Sequence, residues 1–141
     1  MYKIGYTTGV FDLFHIGHLN ILRRAKENCE FLIVGVCTDE LVRELKGKLP
    51  LIPFSQRIEI VKSVKYVDQV VPEISLDKLE AWKRLHYNVL FKGSDAQKRA
   101  VYRQIEQSLN DVNVDVCYFP HTEGISSSEI KERIGHRNEG R

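Results

Sequence analysis

The sequence has little cysteine and no long apolar run. Its 3 cysteines, Cys29, Cys37 and Cys117, are far apart, form no CxxC pair and lie in or beside apolar runs. This pattern favours buried free thiols over a zinc site or a disulfide framework. No apolar stretch approaches the ~20 residues that cross a bilayer, and residues 1–4 begin a strand-like run without a signal-peptide pattern. We therefore expect a cytoplasmic protein with no membrane partner.

An excess of charge of one sign is also missing. The 21 Lys and Arg residues are offset by 19 Asp and Glu, which leaves a net charge of +2. Proteins that coat nucleic acid usually carry a basic block or stripe, and none is visible, so we expect no nucleic-acid partner. Small anionic ligands remain compatible. At 141 residues the chain is long enough for one well-packed domain, predicted over 1–141 with a flexible tail at 136–141.

Short apolar runs alternate with longer amphipathic segments. The runs are rich in Val, Ile, Phe and Tyr, which is typical of strands, and they occupy residues 3–8, 31–38, 69–71, 89–92 and 112–119. Helical patterns separate them, and N-cap signals are seen at Ser55, at Ser75 and in a capping box at 126–129. Alternating strands and helices predict an α/β fold: a Rossmann-like, doubly wound, parallel five-stranded sheet. A ligand then binds at the carboxyl ends of the strands.

The segment that follows the first predicted strand carries the strongest chemical signal. It reads TGVFDLFHIGH and contains Gly9, which permits a tight turn, and Gly17, which lets a backbone approach a ligand. His15 and His18 are three residues apart at a predicted helix start, so both imidazoles face one side. A helix N-terminus also presents free N–H groups and the positive end of its dipole. The pattern predicts a phosphate site; the alternative is two surface histidines, and no carboxylate or cysteine nearby has metal-ligand spacing.

GVFDLFHIGH resembles the GxFDxxHxGH signature of the cytidylyltransferase family, which includes glycerol-3-phosphate, choline-phosphate and ethanolamine-phosphate enzymes. The resemblance covers about residues 3–135 in order. It continues through Lys46-Gly47, Gln56-Arg57, KYVD at 65–68 and GSD at 93–95, and it ends with HTEGISS at 121–127, which is similar to the family's RTEGIST motif. The literal HIGH also matches class I aminoacyl-tRNA synthetases, but this chain is too short for one and has no KMSKS-like loop.

The resemblance implies transfer of CMP from CTP to a small phosphorylated alcohol, with release of pyrophosphate. A phosphate oxygen of the acceptor attacks the α-phosphorus directly, so catalysis rests on positioning and charge neutralisation. By resemblance, His15 and His18 hold the triphosphate, and Lys46 reaches the α-phosphate from a mobile loop, with Lys48 as the alternative. The family also implies Mg²⁺ carried by the triphosphate, and a homodimer with residues 65–68 near the subunit interface.

Further residues receive roles by the same resemblance, each with a structural alternative. Residues expected around the nucleotide are Thr8, Gly9, Phe11, Gly17, Asp95, Thr122, Ile125, Ser126 and Ser127. Phe11 is alternatively a core residue, and Asp95 and Ser126 are alternatively plain N-caps. Asp12, Arg57 and Lys65 are expected at the acceptor. Asp12 alternatively orients the HxGH loop or caps a turn, and Arg57 is alternatively an exposed helix arginine.

Three positions depart from the family pattern. Lys65 replaces the arginine of RYVD and loses its bidentate grip on a phosphate. His121 replaces the arginine of RTEGIST, and Ala96 stands where glycerol-3-phosphate enzymes carry a tryptophan. Residues 72–75 supply no aromatic cage for choline. Glycerol-3-phosphate, or another small polyol or amino-alcohol phosphate of cell-surface polymer synthesis, is the expected acceptor; the alternatives are an ATP-dependent adenylyltransferase and a catalytically silent nucleotide-binding module.

Overall fold

A computed structural model describes residues 1–120 and 130–135 as an α/β domain. The strands are β1 Tyr2–Gly9, β2 Cys29–Cys37, β3 Gln69–Glu73, β4 Val89–Gly93 and β5 Asp115–Phe119. The helices are α1 Ile16–Glu27, α2 Asp39–Lys46, α3 Phe54–Lys62, α4 Lys78–Leu85, α5 Ser94–Gln97 and α6 Val101–Asn110, and residues 130–135 are also helical. Each strand overlaps a run predicted from the sequence. Among these described helices, none is long and apolar enough to span a membrane.

All neighbouring strands pair in parallel, in the order β3-β2-β1-β4-β5. The order reverses between β1 and β4, because the chain leaves β1 toward β2 and β3 and then returns to the other side of β1. Their carboxyl ends therefore flank the switch point of the sheet, where ligands of such folds bind. The predicted Rossmann-like doubly wound fold is confirmed.

Helices cover both faces of the sheet, and each face has its own core. On one face, Leu22 and Ala25 of α1 and Val61 of α3 share a core with Phe91 of β4, and all four are fully buried. The second core lies on the other face, under α4 and α6. There the strands bury the side chains that point away from the first core, such as Tyr6 and Leu90. Further residues of this core are Ala81, Tyr87, Tyr102 and Leu109. Because side chains alternate along a strand, neighbours such as Leu90 and Phe91 enter opposite cores.

Two helix starts differ from the sequence expectation, and a third cannot be compared with it. Helix α3 begins one residue before Ser55, and its first N–H, that of Phe54, donates to the carboxylate of Asp39 at 3.2 Å. Helix α4 is capped by Asp77 instead of Ser75, since Asp77 accepts from the N–H of Glu80. The capping box at 126–129 lies outside the described residues.

Helix α2 was not predicted, and it changes the setting of Lys46. Thr38 caps its start, and the chain leaves it through Gly47 at φ 73°, a left-handed conformation that glycine adopts without strain. Lys46 is the last residue of this helix. The expectation of Lys46 on a mobile loop is therefore wrong about its backbone, because Thr38 and Gly47 give the segment a capped start and a glycine end.

Candidate active site

The connection between β1 and α1 is a tight turn with two unusual backbone conformations. Phe11 (φ 56°) and Leu13 (φ 49°) are both left-handed without being glycine, a strain that folds retain mostly at functional sites. Gly9, expected to make the turn, has no positive φ. Its lack of a side chain serves packing instead, since a Cβ there would lie 3.0 Å from the ring of Phe11.

His15 and His18 close the start of α1 with reciprocal hydrogen bonds. The N–H of Gly17 donates to Nδ1 of His15 at 3.0 Å, and the N–H of His15 donates to Nδ1 of His18 at 3.2 Å. This is the geometry of a capping box, built here from two imidazoles. The rings stack with centroids 3.9 Å apart and 22° between their planes. The pairing fixes both side chains before any ligand arrives.

These hydrogen bonds determine which nitrogen of each ring carries a proton. Because Nδ1 accepts in both histidines, the neutral forms carry their proton on Nε2. Burial, reinforced by the neighbouring His15, lowers the pKa of His18 to about 4. His18 is therefore a neutral donor near pH 7. The two side chains offer Nε2–H groups beside the positive dipole end of α1, which together suit an anion.

A cavity of about 260 Å³ opens beside this helix start. Its lining residues are Val10, Phe11, Asp12, His18, Val42, Lys46, Lys48, Leu49, Pro50 and Lys131. Phe11 is both buried and part of the cavity wall, with its ring edge-on to His18 at 5.3 Å. Lys46 and Lys48 both line the cavity, so the structure brings either lysine to the same site as His18. Among the described lining residues, three lysines against one aspartate make the wall cationic.

Asp12 joins the β1–α1 turn to the loop that follows Lys48. Its buried carboxylate accepts from the N–H groups of Leu51 and Ile52, both at 2.9 Å, and lies 3.1 Å from Nζ of Lys131. Burial by itself would raise the pKa of Asp12, but these N–H groups and the Lys131 ammonium hold it below its usual value. Its contacts support the loop-orienting role among the alternatives.

Arg57 lies inside the protein, with no exposed side-chain surface. Its guanidinium donates to three backbone carbonyls, those of Val10, Cys37 and Ile52, at 2.7–2.8 Å, and to the carboxylate of Asp39 at 2.7 Å. The interpretation as an exposed helix arginine is therefore wrong. Four of its five N–H donors are already bonded to groups beside the cavity wall. This placement does not favour the expected contact between Arg57 and the acceptor.

Lys65 lies at the other edge of the sheet from His15 and His18. It precedes β3, at the amino-terminal edge, while the histidines follow the carboxyl end of β1. Its exposed ammonium sits 5.2 Å from the ring centre of Tyr66. An acceptor contact in the same subunit is not compatible with this position. The reason is the parallel topology, which returns the chain to the amino-terminal edge after α3.

The remaining residues expected around the nucleotide lie at helix starts, near the end of β1, or outside the described part of the chain. Gly17 lies in the first turn of α1, and Asp95 is exposed in the first turn of α5. The hydroxyl of Thr8 faces α4, where it accepts from the ammonium groups of Lys78 at 3.0 Å and Lys92 at 3.2 Å. Residues outside the described part of the chain are Thr122, Ile125, Ser126 and Ser127.

Sequence reasoning missed the polar residues around Thr8: Glu73 and Lys78, which are buried, and Lys92, which is partly buried. The available signal was a charged residue at the end of an apolar strand run, as in VLFK and VVPE. Residues 1–120 and 130–135 contain no group of three or more His, Cys, Asp and Glu side chains that could hold a metal ion. The thiols of Cys29 and Cys37 are free and buried, as expected, and that of Cys117 is free and partly buried.

Known proteins resemble this chain in sequence and in fold. The model of the family described as cytidylyltransferase-like matches residues 6–133. The chain is 38% identical to an FAD synthase of Pyrococcus horikoshii, with 89% of this chain and 88% of that protein covered. It is 34% identical to a glycerol-3-phosphate cytidylyltransferase of Staphylococcus aureus, with 91% and 92% covered. A lipopolysaccharide core biosynthesis protein from Thermoplasma volcanium has the same fold, with a TM-score of 0.72 at 24% identity over 86% of this chain and 98% of that one.

Proposed function

The chain belongs to the cytidylyltransferase-like family, and from this premise we propose that it transfers CMP from CTP to a small phosphorylated alcohol and releases pyrophosphate. The observation that carries the proposal is the pair of imidazoles at the start of α1. Each presents an Nε2–H group, and the stack holds both rings in place. Such preorganised donors stabilise charge that develops on phosphate oxygens.

The proposed reaction is a direct displacement at phosphorus. An oxygen of the acceptor phosphate forms a bond to the α-phosphorus, and the bond to the bridging oxygen breaks, with its electron pair leaving on pyrophosphate. His15 and His18 donate hydrogen bonds to the triphosphate, and Lys46 supplies positive charge from the cavity wall. Asp12 and Arg57 act as positioning residues, because their bonds hold the turn and the 49–52 loop that form the wall. No protein nucleophile is required.

CTP is the first choice of nucleotide, and ATP is the second. The glycerol-3-phosphate cytidylyltransferase relative and the TEGISS motif at 122–127 support CTP. The FAD synthase relative supports ATP, since FAD contains an adenylate. For the acceptor, glycerol-3-phosphate or a related polyol or amino-alcohol phosphate is proposed, as in synthesis of cell-surface polymers.

Two accompanying features are also proposals. Mg²⁺ is carried by the triphosphate, and the described residues are consistent with this, because the cavity wall offers lysines and a single carboxylate. When bound, the ion neutralises charge on the leaving pyrophosphate. A homodimer follows from the family resemblance; sedimentation equilibrium measures it directly, and a monomer at micromolar concentration would contradict it. The cytoplasmic location stays a prediction.

The test is pyrophosphate release from purified protein with each nucleoside triphosphate, Mg²⁺ and a panel of phosphorylated alcohols. We expect release with CTP and one acceptor, and a loss of about 100-fold or more in kcat for His18→Asn. His86→Asn is the matched control. His86 is exposed and left-handed at the end of α4, and asparagine tolerates that conformation, so activity should persist.

Other outcomes are informative. Release with ATP alone would overturn the choice of CTP and move the protein to adenylyl transfer. Silence across the panel, with nucleotide binding retained in calorimetry, would contradict the enzyme and favour the silent module.

A further inference from the structure

A buried polar cluster lies where β1 and β4 diverge, and the proposed reaction assigns it no role. This switch-point cluster consists of Thr8, Cys37, Glu73, Lys78 and Lys92. The ammonium of Lys78 pairs with the carboxylate of Glu73 and donates to the hydroxyl of Thr8 at 3.0 Å. Lys92 donates to the carbonyl of Thr8 at 2.7 Å and to its hydroxyl at 3.2 Å. The thiol of Cys37 donates to Glu73 at 3.3 Å.

The charges of the cluster do not balance. Glu73 and Lys78 are 5% and 2% exposed, and they neutralise each other. Lys92 shares the Thr8 hydroxyl with Lys78 but, among residues 1–120 and 130–135, has no carboxylate within ion-pair distance. Arg99 lies near enough to add repulsion. The cluster therefore carries an excess of positive charge in a poorly solvated place.

An excess ammonium in such a place is costly unless something offsets it. Burial, and then the Lys78 ammonium, lower the pKa of Lys92 to about 8. Lys92 as a residue is partly exposed, and it lies at the end of β4 beside the switch point of the sheet. An anion placed here would relieve the repulsion and strengthen the hydrogen bonds of Nζ. Geometry and charge together therefore describe an anion site.

The face of the sheet indicates which anion it takes. Lys92 and Thr8 point toward α4, while His15 and His18 begin α1 on the opposite face. In a direct displacement, the attacking oxygen must approach the α-phosphorus from the side away from the leaving pyrophosphate. With the triphosphate held at α1, the far side of the switch point is the α4 side, where the excess cation lies.

We propose that Lys92 binds the phosphate of the acceptor on the α4 side of the switch point and determines specificity for phosphomonoesters there. This inference rests on the proposed function. Lys92 donates hydrogen bonds and moves no proton, while the acceptor oxygen forms the bond to phosphorus and pyrophosphate leaves with the electron pair. Thr8, Lys78 and Glu73 act as positioning residues that hold the ammonium at the crevice.

The first experiment compares Lys92→Met, Lys92→Arg and Lys83→Met with the wild type in the pyrophosphate assay. Lys83 is an exposed lysine on α4, so its variant removes the same charge away from the cluster. For Lys92→Met we expect KM for the acceptor to rise about 10-fold to 100-fold, the range of a hydrogen bond to a charged group. KM for CTP should change less than about 2-fold. Lys92→Arg should recover part of the loss, and Lys83→Met should match the wild type.

A rise in KM for CTP with an unchanged KM for the acceptor would overturn the proposal by giving Lys92 to the nucleotide. Equal changes in KM for CTP and in KM for the acceptor, together with a lower melting temperature, would also overturn it. That result is expected of a lysine whose role is only structural. The second experiment needs no turnover: glycerol-3-phosphate and inorganic phosphate are titrated into each protein by calorimetry without nucleotide. Binding to the wild type that Lys92→Met loses and Lys83→Met keeps supports the site even if no pyrophosphate is released, and absence of wild-type binding at millimolar concentrations would contradict it.

Discussion

The guanidinium of Arg57 lies 2.7 Å from one carboxylate oxygen of Asp39, and the other oxygen of Asp39 accepts from the N–H of Phe54 at 3.2 Å. One aspartate at the start of α2 therefore fixes both the start of α3 and the buried arginine of α3. The same guanidinium holds the carbonyls of Val10 and Cys37. These bonds join the ends of β1 and β2 to α2 and α3. The segment after β1 and helix α2 line the cavity beside His18.

Replacing Arg57 should therefore cost stability as well as activity. Arg57→Met leaves the carbonyls of Val10, Cys37 and Ile52 and the carboxylate of Asp39 without their donor. We expect the free energy of unfolding to fall by about 3 kcal/mol, as is usual when one partner of a buried charged network is removed. Urea unfolding followed by circular dichroism measures it.

The matched control for this prediction is Arg84→Met. Arg84 is an exposed arginine whose pair with Glu80 is 3.9 Å long, so its loss should change stability by less than about 0.5 kcal/mol. Equal, small effects of the two substitutions would contradict the role assigned to Arg57.

His18 should make the protein sensitive to mild acid. Its pKa is about 4 in the folded protein and about 6.5 in an unfolded chain. Below pH 6.5 the unfolded state binds a proton that the folded state does not, so stability present above pH 6.5 is lost progressively as the pH falls toward 4. His18→Asn should flatten the pH dependence of the unfolding free energy over this range by on the order of 2 kcal/mol. An unchanged slope in the variant would refute the buried neutral imidazole.

The two lysines of the cavity wall can be separated by substitution. Lys46 ends α2, a capped helix, whereas Lys48 lies beyond Gly47. We expect Lys46→Ala to lower kcat by about 100-fold, the effect of losing one preorganised charge at the reacting phosphate, and Lys48→Ala to lower it by less than about 5-fold. The two variants are controls for each other in net charge. A reversed order would assign the α-phosphate contact to Lys48.

Deprotonation of Lys92 should set an upper pH limit on reaction with the acceptor. Its pKa is about 8, so kcat/KM for the acceptor should fall as the pH rises through about 8 and the ammonium loses its proton. The groups that face Lys92 are Glu73 from β3, Lys78 from α4, Cys37 from β2 and Arg99 before α6. Lys92→Arg keeps its charge at all these pH values, so the limit should disappear in that variant. Persistence of the limit would show that another group is titrating.

Local features of the sequence determined much of the result. The five apolar runs became the five strands, because β-branched and aromatic residues suit a pleated, buried surface. The spacing of His15 and His18 placed both rings on one side of a helix start, which depends only on helix geometry. Buried thiols at Cys29 and Cys37 followed from the apolar runs around them.

The tertiary structure decided what depends on distant partners. Arg57 was expected at the acceptor, or alternatively on the surface, because its partners Val10 and Cys37 lie 47 and 20 residues away in the sequence. Only the packing of α2 and α3 brings these groups together. Lys65 was expected at the acceptor, but parallel crossovers place it at the opposite edge of the sheet. Lys92 carries a charge whose setting depends on the order β3-β2-β1-β4-β5. Periodicity along a chain reports which face is buried, whereas the charges that meet across a sheet are set by strand order and helix packing.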